Sequence, residues 1–286
     1  PMCYRLWSDA GDPTVIREEG LARVDRGVGL ARASGLHVCL NFHRAPGYTV
    51  SQSDEPEGGN LWKDADAQEA FRRHWQTFAR RYRGISSDEM SFNLVNEPGH
   101  LNDTMSRADH ERVMRDTIHA AREIDPERLI LLDGLSYGTE PCPELADTTA
   151  AQSCRAYAPM KLTHYKAWWV KGEDWPEPTW PLVEAGGQRW DRARLEEFYR
   201  PWIDLATRGV GVHCGEGGAL SYTPHDVFLA WLRDVLEILT AAGIGLALWN
   251  FRGSFGVMDS RREDVDYEDF HGHRLDRKLL DLLQEF

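Results

Sequence analysis

The 286-residue chain has no run of about 18 apolar residues, so no membrane-spanning helix is expected. It has no surplus of positive charge: 33 Lys and Arg stand against 46 Asp and Glu, a net charge of −13. That argues against a nucleic-acid partner and against an anionic membrane surface, both of which need clustered basic residues. Cysteine is sparse. Cys3, Cys39, Cys142, Cys154 and Cys214 form no CxxC pair and no zinc-ligand spacing. Three of them lie in apolar strand-like runs, where buried free thiols are expected, with a Cys142–Cys154 disulfide the less favoured reading. None of the strand-end histidines His43, His164 and His213 belongs to a His-x-His pair, the spacing that metal-dependent barrels use. The acidic run 259–270 lacks the spacing of a calcium loop and reads as a solvated loop. Pro1-Met-Cys-Tyr-Arg-Leu-Trp7 has no initiator, charged n-region or signal-type stretch and reads as the tail of a strand already under way. This end therefore leaves secretion and cytoplasm both open.

What is present is a regular alternation. Apolar residues recur at helical spacing in 16–34, 68–82, 107–124, 192–207, 226–241 and 275–286, with Pro201 a candidate kink in the fourth of these. Between them run short apolar strands at 36–42, 90–97, 129–133, 156–165, 210–214 and 244–250. Strand and helix alternate without hairpins or a linker, which predicts one domain with a parallel sheet and right-handed crossovers. His43, Asn96 and Glu97, Asp133, His164 and Tyr165, Glu216 and Trp249 all fall at C-terminal strand ends. An open doubly wound sheet feeds its ligand from a few strands, whereas a closed ring gathers residues from nearly all of them. The expected fold is an α/β, (β/α)8 TIM barrel over 1–286 that lacks the first β/α unit and part of strand 2.

The segment Met90-Ser-Phe-Asn-Leu-Val-Asn96-Glu97-Pro98 carries the sharpest chemical signal. Proline cannot donate a ladder hydrogen bond, so Pro98 stops the strand and leaves an amide and a carboxylate at its end. Glu216, between Gly215 and Gly217, is the second such carboxylate. On the fourth and seventh strands of a barrel the two would face each other across its mouth. Paired carboxylates are what glycoside hydrolysis needs: one protonated to serve the leaving oxygen, one ionised for the anomeric carbon. Asn96 could donate to a sugar 2-hydroxyl, or could simply form the turn before proline. His43 and His164 suit hydrogen bonding in the pocket rather than metal binding, and His213 suits strand packing. Tyr165 is a candidate partner for a nucleophilic carboxylate, or a packing residue. Of the 11 tryptophans, Trp249, Trp168 and Trp169 are the candidates to stack on a pyranose ring.

Together the strings His43-Arg-Ala-Pro-Gly-Tyr48, Asn96-Glu97-Pro98, Thr163-His164-Tyr165, Gly215-Glu216-Gly217 and Leu248-Trp-Asn-Phe-Arg-Gly253 resemble glycoside hydrolase family 5, the cellulase family. The resemblance extends over nearly the whole chain. It implies a retaining mechanism with Glu97 as acid/base and Glu216 as nucleophile, the carboxyl groups about 5–5.5 Å apart. It also implies His43, Asn96, His164, Tyr165 and Trp249 around the sugar, a β-glucan oligo- or polysaccharide as substrate, and no metal or organic cofactor. Alternatives are a mannan-type β-glycanase, a carbohydrate-binding barrel without activity, and a metal-dependent hydrolase using the histidines. The family pattern places an arginine just before a segment like Pro1-Met-Cys-Tyr-Arg5. The chain begins after that point, so Glu216 is expected to lack a cation that would keep it ionised.

Overall fold

The alternation read from the sequence is the alternation of the computed structural model, which describes residues 1–9, 11–51, 57–170, 175–184 and 186–286. The chain divides into two compact units, Pro1–Ser153 and Cys154–Phe286. Each is taken by itself.

In the first unit the strands β1 (Met2–Cys3), β2 (Val38–Ala45), β3 (Met90–Asn93) and β4 (Leu129–Asp133) pair in chain order, and β4 pairs with the start of β5 (Ala151–Ala156). These pairings are parallel, but the alternation expected to be free of hairpins has one here, because Tyr48–Thr49 turns back and pairs antiparallel with β2. Parallel neighbours need a crossover between them. The helices α1 (Glu18–Ala33), α2 (Ala65–Arg81) and α3 (Arg107–Arg122) lie between these strands in the chain. α3 starts where Ser106 and Asp109 form a reciprocal capping box, which satisfies two orphan N–H groups of its first turn. The register sets Asn41 opposite Asn93 and Asn93 opposite Leu131, so the strands finish side by side.

β3 and most of β2 from Leu40 onward are buried, and an aromatic cluster covers them. Trp75 of α2 meets Phe42 edge-on at 4.7 Å and tilts against Phe92 at 5.1 Å. Its indole N–H also donates to the carbonyl of Leu94 at 3.1 Å, tying α2 to the segment that follows β3. Arg128 anchors the opposite end of β3. It is 2% exposed, pairs with Asp125 at 2.8 Å, and donates to the carbonyls of Met90, Tyr82 and Ile85 at 2.8, 3.1 and 2.8 Å. Removing one partner of such a buried network strands the rest without a counter-charge. Arg128→Ala is therefore expected to cost roughly 3–5 kcal/mol. A denaturant midpoint unchanged from the native protein would rule out an anchoring role.

In the second unit β5 continues and is followed in the sheet by β6 (Val212–Gly217) and β7 (Leu246–Leu248). β6 and β7 are parallel, Leu246 opposite Cys214. Helices α4 (Arg192–Thr207, with Pro201 inside it), α5 (His225–Ala241) and α6 (Arg277–Gln284) complete the unit. Its core is built on Trp202, Trp231, Phe228 and Leu239.

One expected strand is misplaced. The stretch 156–165 is not a strand: β5 ends at Ala156, and Met160–Thr163 is a short helical turn. Pro159 accounts for the difference, because it cannot join a ladder and suits the entry to a helical turn. Among the described residues seven strands run parallel, one fewer than the eight of a complete barrel. No disulfide joins any of the five cysteines; Cys142, Cys154 and Cys214 are buried, and Cys39 is exposed. No helix among the described residues is long and apolar enough to cross a membrane.

Candidate active site

In the first unit the chain beyond β3 is pinned at nearly every step. The Asn96 N–H donates to the carbonyl of Phe42 at 2.8 Å. Asp133, at the end of β4 and 1% exposed, accepts from the Asn93 amide at 2.7 Å and from the Glu97 N–H at 2.9 Å. The Tyr48 hydroxyl donates to the Glu97 carbonyl at 2.5 Å. Burial, and then the charge of Glu97, push the pKa of that hydroxyl upward, so it stays a donor. Glu97 itself has φ of 49°, a left-handed backbone that L side chains rarely adopt. Strain of this kind persists only where the surroundings over-determine it, and here a carboxylate, a phenol and the following Pro98 do so. Asn96 is buried and Glu97 partly exposed.

His43 lies near the end of β2, where its Nδ1 and Asn41 Oδ1 are 2.5 Å apart. It lines a cavity of about 530 Å³ together with Cys3, Arg5, Arg44, Thr49 and Ser51. Beside it Glu57 gathers a buried cluster. The carboxylate pairs with Arg44, lies 3.1 Å from Arg5, and accepts from the Tyr4 hydroxyl at 2.7 Å.

In the second unit Glu216 stands near the end of β6, partly exposed, with each carboxylate oxygen facing a different side chain, one from the end of β5 and one from the residue just beyond it. The Tyr157 hydroxyl donates to Oε2 at 3.1 Å, and Arg155 Nη2 lies 3.6 Å from Oε1. The phenol that reaches Glu216 is therefore Tyr157. Tyr165, proposed for that task from the sequence, is buried beneath the Lys166 ammonium, which lies 4.9 Å from its ring centre. The expected absence of a cation at Glu216 is likewise corrected, because Arg155 supplies one. Gly217 has a packing reason: a Cβ there would come within 2.7 Å of the Ala156 side chain. The two strands approach closely at the residue after the carboxylate.

A family model, cellulase (glycosyl hydrolase family 5), matches residues 1–254. The chain belongs to glycosyl hydrolase family 5. Endoglucanase C of Acetivibrio thermocellus is 23% identical over 295 residues, covering 94% of this chain and 83% of that protein. Cellodextrinase A of Ruminococcus flavefaciens is 27% identical, with 85% of this chain and 70% of the relative covered. A solved structure described as a glycoside hydrolase superposes with a TM-score of 0.96 at 41% identity, over all of this chain and 87% of the other. Endoglucanase Cel5A of Thermotoga maritima superposes with a TM-score of 0.78 at 21% identity, over 99% of this chain and 84% of that one, a likeness of fold. The fold class is the α/β barrel of this family, and the chain is a glycoside hydrolase.

The remaining candidates of this glycoside hydrolase fall into two groups. Near Tyr157 sits His164, with ring centres 5.2 Å apart, and Tyr157 and Trp249 both pack against the cluster of Ala167, Leu220 and Phe255. Burial lowers the His164 pKa to about 4, so the ring is neutral at neutral pH and acts as a hydrogen-bonding group. Trp169 meets His164 edge-on at 6.1 Å, while Trp168 beside it is 75% exposed. Both rings are exposed, and they meet each other edge-on at 5.6 Å. His213 is half-buried on β6.

Metal ligands gather at one place among the described residues: His110, Cys142 and Glu144 in the first unit. Burial pushes the Cys142 thiol up to about 12, and both Glu144 oxygens lie within 3.3 Å of Arg107 Nη1. Of the three donors the thiol is protonated and the carboxylate is already committed to a guanidinium, leaving the buried neutral imidazole of His110 as the one ready ligand, which suits packing better than a cation.

Sequence reasoning missed Arg155 and Tyr157. The signal was available in Arg155-Ala-Tyr157-Ala-Pro159. Alternation places 155 and 157 on one face at the end of a strand that Pro159 cannot continue.

Proposed function

We propose that the chain is a retaining β-glycosidase acting on a β-linked glucan, with Glu216 as nucleophile, Glu97 as acid/base, and residues 1–286 working as one hydrolase domain. The observation that carries this is the setting of Glu216. A carboxylate faced by a phenol O–H and a guanidinium is favoured in its charged form, which is the form that attacks. Asn96, buried beside Glu97, serves a sugar hydroxyl, and His43 and His164 supply further hydrogen bonds. Trp249, Trp168 and Trp169 offer flat faces to the axial C–H groups of glucose, whose hydroxyls are all equatorial.

The first step forms a bond from a Glu216 oxygen to the anomeric carbon as the glycosidic bond breaks. Glu97 gives its proton to the departing oxygen. In the second step water attacks the same carbon, its proton goes to Glu97, and Glu216 leaves as a carboxylate. No metal or organic cofactor takes part. The relatives named as endoglucanase and cellodextrinase support glucan as the substrate class.

The test is a panel of cellulose, laminarin, mannan and xylan oligomers, with the anomer of the first-formed product followed by NMR. Faster cleavage of a glucan with β product appearing first is expected. An α product overturns retention, and faster cleavage of mannan or xylan overturns the substrate. Binding of glucan with no release of phenol from an activated aryl β-glycoside would leave a carbohydrate-binding protein.

A further inference from the structure

Resting on the assignment of Glu216 as nucleophile, we propose that Arg155 is a positioning residue for that carboxylate, holding it ionised for attack and stabilising it as it departs from the glycosyl ester. Arg155 is the next-to-last residue of β5, and its side chain is 3% exposed. Its Nη2 stands 3.6 Å from Glu216 Oε1, beyond hydrogen-bond reach, so it acts through charge. Nη1 donates to the Cys154 carbonyl at 3.2 Å, which fixes the guanidinium. The Tyr199 hydroxyl of α4 bonds the Arg155 carbonyl at 3.5 Å, fixing the backbone. Tyr157, the residue after β5, holds the other oxygen, so Arg155 and Tyr157 together set the rotation of the carboxylate plane.

The other titratable groups around Glu216 in this unit are Cys214 and His213 on β6, Cys154 on β5 and His164 beyond it. Cys214 donates its thiol to the Glu216 carbonyl at 3.3 Å, and burial keeps that thiol protonated. His164 is neutral over the neutral pH range. Arg155, in contrast, brings a permanent positive charge.

A cation beside the nucleophile has unequal effects on the two steps. In the first, the Glu216 charge is consumed as the ester forms, so the attraction of Arg155 favours the ionised reactant. In the second, the charge returns to Glu216 as the ester C–O bond breaks, so the same attraction lowers the barrier. Arg155 should therefore matter most to ester hydrolysis and to the acid limb of the pH profile.

Arg155→Gln is assayed on an aryl β-glucoside in parallel with Arg155→Lys and with Glu216→Gly plus azide. For Arg155→Gln the acid limb of kcat/KM is expected to move up by about one pH unit. kcat should fall roughly 10- to 100-fold with a matching fall in KM, and a burst of phenol should mark accumulated ester. Arg155→Lys keeps the charge and should restore most of the acid limb. An Arg155→Gln profile that superposes on the native one without a burst overturns the proposal. If Arg155→Gln does not fold, NMR titration of the 13C-labelled Glu216 carboxyl in the native chain decides. A midpoint below the ordinary glutamate value of about 4.3 supports the role, and one at or above it overturns the role. The underlying assignment fails separately, through a Glu216→Gly variant that keeps native turnover or gains nothing from azide.

Discussion

Glu216→Gly is expected to lose at least about 10⁴-fold in kcat, the scale at which removal of a covalent nucleophile acts. Without its carboxylate the chain cannot form the glycosyl ester, and the barrier returns to direct attack by water. The substitution also opens space at β6, where Gly217 already packs against Ala156. Azide is small and anionic enough to use that space. Its terminal nitrogen would attack the anomeric carbon as the aryl glycoside bond breaks, giving an α-glycosyl azide from a β-substrate in one displacement. Recovery of turnover with azide, and an α-azide by NMR, is the expected pair of results. Unchanged hydrolysis by the variant, or a β-azide, ends the assignment of Glu216 as nucleophile. Arg155 and Tyr157 would remain in this variant, the one as a positive charge and the other as an O–H donor to an anion.

Glu97→Ala should behave in the opposite sense. General acid–base assistance is worth about 10²–10⁴-fold, and only where the leaving group needs a proton. Cleavage of a glucan oligosaccharide should fall by that amount. A dinitrophenyl β-glucoside leaves without protonation, so its first step should be nearly native. The second step still lacks its base, so ester should accumulate until azide intercepts it, this time as the β-glycosyl azide after two displacements. The anomers from the two variants thus separate the two carboxylates by role. Equal losses on both leaving groups would remove Glu97 from acid/base work and leave its left-handed backbone without a chemical reason.

The strands and helices were legible because each is buried on a side that its period announces. Phe71, Trp75, Phe78 and Tyr82 recur on one stripe of α2, and all are buried. Glu97 was legible from a different cue: a buried apolar run has no reason to end in an amide and a carboxylate before a proline unless something waits there. Arg155 and Tyr157 were not. β5 reads Ala-Gln-Ser-Cys-Arg-Ala, too polar to stand out as a buried strand, yet five of its residues, Gln152, Ser153, Cys154, Arg155 and Ala156, are buried because neighbouring strands and α4 cover them. The apolar pattern therefore drew the boundary to Thr163-His164-Tyr165, and the tyrosine eight residues earlier was passed over.

Sequence alone determined most of the alternation of strands and helices, the family, and the placing of Glu97 and Glu216 at strand ends, because each rests on local order: periodicity, a proline stop, a string of motifs. Tertiary structure decided which tyrosine and which cation attend Glu216. That choice depends on which residues of β5 stand beside β6, a matter of register between strands nearly sixty residues apart that no local pattern records.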